Sequence, residues 1–249
     1  MGLLRDTTAA TRIVRAVGHG LRGLWLVRVR FARFSAAERE ACIEHWNRGL
    51  LRILNISVRV EGRRPPDGRL LIVANHSSWL DILAIQSARA SRFIAKAEIR
   101  DWPLVGAVSA GAGTLFIERT QRRDALRTVH RTAEALAAGD VVAVFPEGTT
   151  GDGSVLLPFH ANMLQAAIAA DAQALPVGIR MVDAASGIPS AAATYIADDT
   201  LMGSLWRTLR ADPLCAVVRF GSPQPAAGRD RRAWAEDLQR EVDRLRKLE

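Results

Sequence analysis

Two short, wholly apolar runs constrain the fold most: Leu70-Leu71-Ile72-Val73-Ala74 and Val141-Val142-Ala143-Val144-Phe145. Each has the length of a strand and runs directly into a polar, turn-rich loop. A strand without polar alternation has to be covered on both faces. Further strands are expected at Ile56 to Val60, Arg92 to Ala95, Thr114 to Glu118, Ala174 to Met181 and residues 214–220. Helical periodicity predicts helices over residues 36–54, 79–89, 122–138 and 230–248, with shorter ones from Pro103 to Ala110 and Ala161 to Ala170. Ser35 stands where an N-cap belongs and Gly139 where a C′ glycine belongs. The alternation predicts an α/β architecture, a mixed, largely parallel sheet flanked by helices. In such sheets active sites gather beyond strand ends, so the loops after residues 74, 118 and 145 are the ones to read.

Ahead of this pattern lies a basic arm. Residues 1–33 hold seven Arg against one acid, Asp6, within a chain of 249 residues and net charge +8. On a helical wheel of roughly 100° per residue, residues 12–34 separate into two sides. Ile13, Val14, Val17, Leu21, Leu24, Trp25, Val27, Phe31 and Phe34 share one; Arg12, Arg15, His19, Arg22, Arg30 and Arg33 share the other, with Arg28 as the exception. A basic amphipathic helix bearing Trp and Phe fits a membrane interface. The same pattern also fits a helix packed on its own domain with solvated arginines. Gly18, Gly20 and Gly23 each weaken such a helix by about 1 kcal/mol. Neither a run of about 20 apolar residues, as a transmembrane span requires, nor a signal-peptide core is evident. We therefore divide the chain into a helical membrane-association segment, residues 1–55, and an α/β domain, residues 56–249. Nucleic acid is not an expected partner, because no recognition motif accompanies the basic charge. The two cysteines, Cys42 and Cys215, make neither a disulfide scaffold nor a zinc site.

The loop after residue 74 reads Asn75-His76-Ser77-Ser78-Trp79-Leu80-Asp81. Across a strand-to-helix turn, Asp81 can reach His76, fix its tautomer and stabilise imidazolium when His76 accepts a proton. The spacing alone equally fits a Ser-capped helix beside a solvated His. The second loop reads Gly113-Thr114-Leu115-Phe116-Ile117-Glu118-Arg119-Thr120, where Arg119 offers a planar fork of donors to an anion. The third reads Phe145-Pro146-Glu147-Gly148-Thr149-Thr150-Gly151-Asp152-Gly153. There Glu147 could accept hydrogen bonds from a polyol and Gly148 permits close approach, although a tight surface turn would read the same way. His45, His130 and His160 are isolated, and Trp102, Trp206 and Trp234 are expected in the core.

Taken in order, these loops resemble the lysophospholipid acyltransferase family, the glycerolipid acyltransferases that include 1-acylglycerol-3-phosphate acyltransferase. Asn75, His76 and Asp81 match its N-H-x4-D motif; Gly113, Phe116, Ile117 and Arg119 match G-x-x-F-I-x-R; Phe145 through Thr149 match F-P-E-G-T. Leu175-Pro176-Val177 matches a fourth, apolar motif. The resemblance covers roughly residues 70–180. It implies a glycerolipid acyltransferase fold and O-acyl transfer from an acyl thioester to a lysolipid hydroxyl, with 1-acyl-sn-glycerol-3-phosphate the leading acceptor and phosphatidic acid the product. It implies His76 as base and Asp81 as its partner, with Arg119, Glu147, Gly148, Thr149, Gly113, Phe116, Lys96 and Pro176 around the substrates. The thioester would be that of acyl carrier protein or coenzyme A, with no further cofactor and no metal. The expected location is peripheral, on the cytoplasmic face of the inner membrane. Two positions depart from the pattern. Thr150 stands where the family often has Arg, and His160 where it often has Lys. Lys96, Arg122 and Arg123 are cations that could compensate. The form Glu147-Gly148-Thr149-Thr150-Gly151-Asp152-Gly153 also resembles bacterial lyso-ornithine lipid acyltransferases, whose acceptor carries no phosphate. A catalytically silent lipid-binding protein on the same scaffold is the alternative of a different class.

Overall fold

The computed structural model describes residues 2–117, 122–196 and 199–248. In chain order the helices are α1 (Gly2–Trp25), α2 (Ala36–Ile53), α3 (Leu80–Ala88), α4 (Val105–Gly111), α5 (Arg122–Ala137), α6 (Leu164–Ala169), α7 (Leu201–Arg210) and α8 (Arg231–Lys247). The strands are β1 (Ile56–Glu61), β2 (Leu70–Ala74), β3 (Arg92–Lys96), β4 (Leu115–Ile117), β5 (Val141–Val144), β6 (Gln173–Asp183) and β7 (Leu214–Phe220). They form one seven-stranded sheet in the order β1-β7-β6-β2-β5-β3-β4. Every pairing is parallel except β6 with β7. The expected mixed, largely parallel sheet is therefore what forms.

The apolar runs read from the sequence lie side by side at its centre. Leu70 to Val73 of β2 pair in register with Val141 to Val144 of β5. Leu70, Ile72 and Ala74 enter one core layer with Leu51, Leu54, Leu80, Ile85 and Leu209 of the helices. Leu71, Val73, Val142 and Val144 enter the other, with Leu136, Leu164, Trp234 and Leu238. This is why both strands are apolar at every position: each face meets a helical layer. Burial of the whole of β2 and β5 anchors the two loops that follow them.

Local chemistry sets the element ends. Ser35 caps α2 with a capping box: its Oγ accepts from the Glu38 N–H at 3.3 Å, and its own N–H donates to Glu38 Oε2 at 2.8 Å. Gly139, at φ +94°, closes α5 as expected. The arm differs from the expected single helix. α1 starts earlier, passes into a π turn over Leu26–Arg30 and then a 3-10 turn over Phe31–Arg33. α7 was not anticipated. Trp234 is buried as expected, whereas Trp102 and Trp206 are exposed, at the surface of the 97–101 turn and of α7.

α1 divides its apolar side between the core and the surface. Ala9 is fully buried in the same core layer as Leu51 and Leu54, and Ile13 packs against it. Gly20 and Gly23 face inward: a Cβ on Gly20 would lie 2.5 Å from Leu104 Cδ2, and one on Gly23 would lie 2.6 Å from Trp46 Nε1. These glycines let α1 approach its neighbours closely. His19 leaves the basic side to stack on Trp46, with ring centroids 4.9 Å apart. The Trp46 indole N–H donates to the His19 carbonyl at 3.0 Å. Val14, Val17, Leu21 and Trp25 remain as a ridge, each at least half exposed. The boundary drawn at residue 55 thus runs through a continuous core. No helix among the described residues is long and apolar enough to cross a membrane.

Candidate active site

β2 and β5 are adjacent and parallel, so the loops leaving their carboxyl ends meet. The buried end of β2 is pinned first. Asn75 pairs with β6 as though it were backbone: its amide donates to the Ile179 carbonyl at 3.0 Å and its oxygen accepts from the Ile179 N–H at 2.8 Å. The next residue, His76, is half-buried and turns its imidazole toward α3.

Asp81, in the first turn of α3, is completely buried. Its Oδ2 lies 3.1 Å from His76 Nδ1 and accepts the backbone N–H of Ser77 at 2.7 Å and of Ser78 at 2.8 Å. The capping is thus the reverse of the Ser-capped alternative: the carboxylate of Asp81 organises the turn, and Ser78 Oγ adds only a 3.3 Å bond from the Leu80 N–H. An Asp on Nδ1 makes that nitrogen the protonated one and leaves Nε2 with a lone pair. Nε2 has no hydrogen-bond partner among the described residues. Because the Ser77 and Ser78 amides are already committed to Asp81, they are not free to stabilise a developing oxyanion. One face of the His76 ring lies flat on Phe145, centroids 3.8 Å apart and planes within 4°.

Glu147 lies in the loop after β5. It is buried, and both oxygens are occupied: Oε1 accepts from the His76 N–H at 2.6 Å and Oε2 from the Leu157 N–H at 2.8 Å. It ties the His76 loop to the 151–157 loop. Burial raises its pKa above the ordinary glutamate value, against the lowering by the two amide bonds and by His76. The loops are joined again by the Gly151 N–H, which donates to the His76 carbonyl at 2.9 Å. Gly148 has φ +72°, which favours glycine, and lies with Thr149 on the exposed side of the turn. A Cβ at Gly148 would stand 3.2 Å from the His160 ring. His160, read from the sequence as isolated, therefore sits beside this turn, held by its N–H to the Pro146 carbonyl at 2.8 Å.

The other expected substrate residues are spread along β3, β4 and β6. Gly113 precedes β4, so it lies at the opposite end of that strand from the His76 loop. There its φ of +81° serves a turn, and its carbonyl accepts from Arg92 Nε at 2.8 Å. Pro176 is buried in mid-strand, level with Val73 and below the loops. Phe116 is buried in β4 with the Arg100 guanidinium 5.0 Å from its ring centroid. Lys96 ends β3 as an exposed side chain 3.5 Å from Glu98. Arg119 lies outside the described residues, as do Glu118 and Thr120.

A strap that sequence spacing did not reveal closes the far side. The Tyr195 N–H donates to the Ser77 carbonyl at 2.9 Å. Arg207 of α7 holds the strap through both oxygens of Asp199, at 3.0 and 2.9 Å, and through the Thr194 carbonyl at 2.5 Å. The Trp79 indole N–H reaches Ser204 Oγ at 3.2 Å. More than a hundred residues separate Ser77 from Tyr195, so no local pattern announces the contact.

A His oriented by a buried carboxylate, with its second nitrogen open beside a glycine turn, can remove a proton from a hydroxyl. Similarity to known proteins gives the family. The family profile described as Acyltransferase matches residues 55–180. A 1-acyl-sn-glycerol-3-phosphate acyltransferase of Neisseria meningitidis is 39% identical over 202 residues, 78% of this chain and 78% of that protein. A lyso-ornithine lipid O-acyltransferase of Pseudomonas aeruginosa is 37% identical over 204 residues, 82% of this chain and 78% of that protein. The crystal structure of the 1-acyl-sn-glycerophosphate acyltransferase PlsC from Thermotoga maritima has the same fold, with TM-score 0.65 and 24% identity, covering 96% of this chain and 99% of that one. The chain belongs to the acyltransferase family.

Proposed function

We propose that the protein transfers an acyl chain from a thioester to a lysolipid hydroxyl at a membrane surface, with 1-acyl-sn-glycerol-3-phosphate as the acceptor and phosphatidic acid as the product. The observation that carries this reading is the Asp81–His76 pair, 3.1 Å apart, with Nε2 open. His76 Nε2 takes the hydroxyl proton as the acceptor oxygen attacks the thioester carbonyl. Asp81 stabilises the imidazolium that forms. Collapse of the tetrahedral intermediate breaks the carbon–sulfur bond, and the proton on Nε2 passes to the departing thiolate. No covalent acyl-enzyme is required, consistent with the absence of a G-x-S-x-G nucleophile turn. The thioester is that of acyl carrier protein or coenzyme A.

Two residues favour a second acceptor. Thr150 and His160 stand where the family resemblance implies Arg and Lys. A site with fewer fixed cations suits a lyso-ornithine lipid, the acceptor named for the Pseudomonas relative. Both acceptors should be offered in parallel to the purified protein with a carrier-protein and a coenzyme A thioester. Transfer to the phosphate acceptor supports the leading reading; exclusive transfer to lyso-ornithine lipid replaces it with the second. Absence of thiol release with either favours a silent lipid-binding protein.

The ridge of Val14, Val17, Leu21 and Trp25, flanked by exposed Arg15 and Arg22, supports membrane association through α1. On this reading the protein is peripheral, on the cytoplasmic face of the inner membrane.

A further inference from the structure

We propose that Phe145 is a positioning residue for the base: its ring is the platform that fixes the tilt of the His76 imidazole and supports the imidazolium formed during transfer. The inference rests on the acyl-transfer reading of His76 and adds to it a residue with no ionisable group.

An imidazole on a flexible side chain has two rotations to restrain. The bond from Asp81 Oδ2 to Nδ1 acts in the plane of the ring and fixes which edge faces α3. It leaves the ring free to rock about the Nδ1–Oδ2 axis. Phe145 removes that freedom. The two rings are parallel within 4°, with centroids 3.8 Å apart, so any rocking drives imidazole atoms into the phenyl face. Phe145 is itself fixed. Its backbone leaves the buried strand β5, its carbonyl accepts the Gly148 N–H at 3.1 Å, and Phe93 of β3 stands behind it at 5.6 Å between centroids. Phe93 is buried in the core and pairs with Ala143 of the neighbouring strand. Phe145 thus links the His76 ring, stacked on it, to the core ring of Phe93, tilted 33° from it.

Charge adds to the shape. When Nε2 takes a proton, the ring becomes cationic above the negative face of a phenyl group, an attraction absent in the neutral state. Support that strengthens as the reaction proceeds acts on turnover rather than on substrate binding. A leucine has comparable apolar bulk but neither flatness nor a π face, whereas tyrosine keeps both.

Phe145→Leu should lower kcat by about tenfold to a hundredfold, the scale of a small misplacement of a reacting group, with KM for both substrates unchanged. Phe145→Tyr should retain the wild-type kcat. In the wild-type protein, the His76 ring protons, assigned by comparison with His76→Ala, should resonate upfield of solvent-exposed histidines because of the Phe145 ring current. Phe145→Leu should abolish that displacement. Wild-type kcat in the leucine variant would overturn the proposal. Equal impairment of the leucine and tyrosine variants would do so as well, and so would undisplaced His76 protons in the wild type. That last measurement needs no variant at Phe145, so it decides the matter even if the leucine protein does not fold. Failure of the acyl-transfer reading looks different: His76→Ala would then remain active while the ring-proton displacement persisted.

Discussion

Asp81 shows how much a single carboxylate organises here. It collects two backbone amides and the imidazole Nδ1 on one oxygen while completely buried. Asp81→Asn preserves the shape but offers a neutral amide, so it no longer stabilises the imidazolium. Steady-state transfer should fall by about a hundredfold or more, within the range general-base chemistry contributes. Glu147 makes the complementary point. The family resemblance singled it out for a headgroup, but sequence alone could not say that its two oxygens would be used on the His76 and Leu157 amides. Glu147→Ala leaves the His76 and Leu157 N–H groups without their acceptor, and should cost about 1–3 kcal/mol of stability in denaturant titrations. The pH dependence has a definite sign. Burial raises the folded-state pKa of Glu147, so its contribution is fully present below the unfolded value and is lost as pH rises through the folded one. The stability advantage of wild type over the Ala variant should therefore grow as pH falls from neutrality toward the ordinary glutamate range. An advantage that shrinks over that window would contradict the assignment.

At the scale of elements, the central strands were legible because burial on both faces forces apolar residues at every position. β2 and β5 announce themselves in this way, and the loops after them followed directly. Which end of β4 faces the site was not legible from motif order, so Gly113 was expected among substrate groups although it opens the strand. α7 escaped notice because Gly203 interrupts a short helix and Met202 and Trp206 lie on its exposed side. Glycine in α1 read from sequence as simple weakening, but position separates two roles. Gly18 meets nothing within 4 Å of an added Cβ, whereas Gly23 would meet the Trp46 ring at 2.6 Å. Gly18→Ala should stabilise the protein by about 0.5–1 kcal/mol through helix propensity. Gly23→Ala should destabilise it by forcing α1 away from α2, and paired thermal melts of the two variants would show opposite signs.

Across the whole molecule, the adjacency of β2 and β5 brings the Asp81–His76 pair against the Glu147 turn, while α1 belongs to the same core and displays its apolar ridge outward. Replacing Val17, Leu21 and Trp25 together with Ser should leave the fold intact, since all three are half-exposed or more. Burial of a large apolar side chain is worth about 1.5–3 kcal/mol, so flotation with anionic vesicles should be lost. Retained flotation would assign membrane contact to another surface. Joining these parts is the claim that His76 is the base that activates the acceptor hydroxyl. The direct measurement is thiol release from an acyl thioester with a lysolipid acceptor, comparing wild type with His76→Ala whose fold is verified by circular dichroism. The alanine variant should lose about 10²–10⁴-fold in the rate of transfer. An alanine variant that transfers at the wild-type rate would contradict the claim.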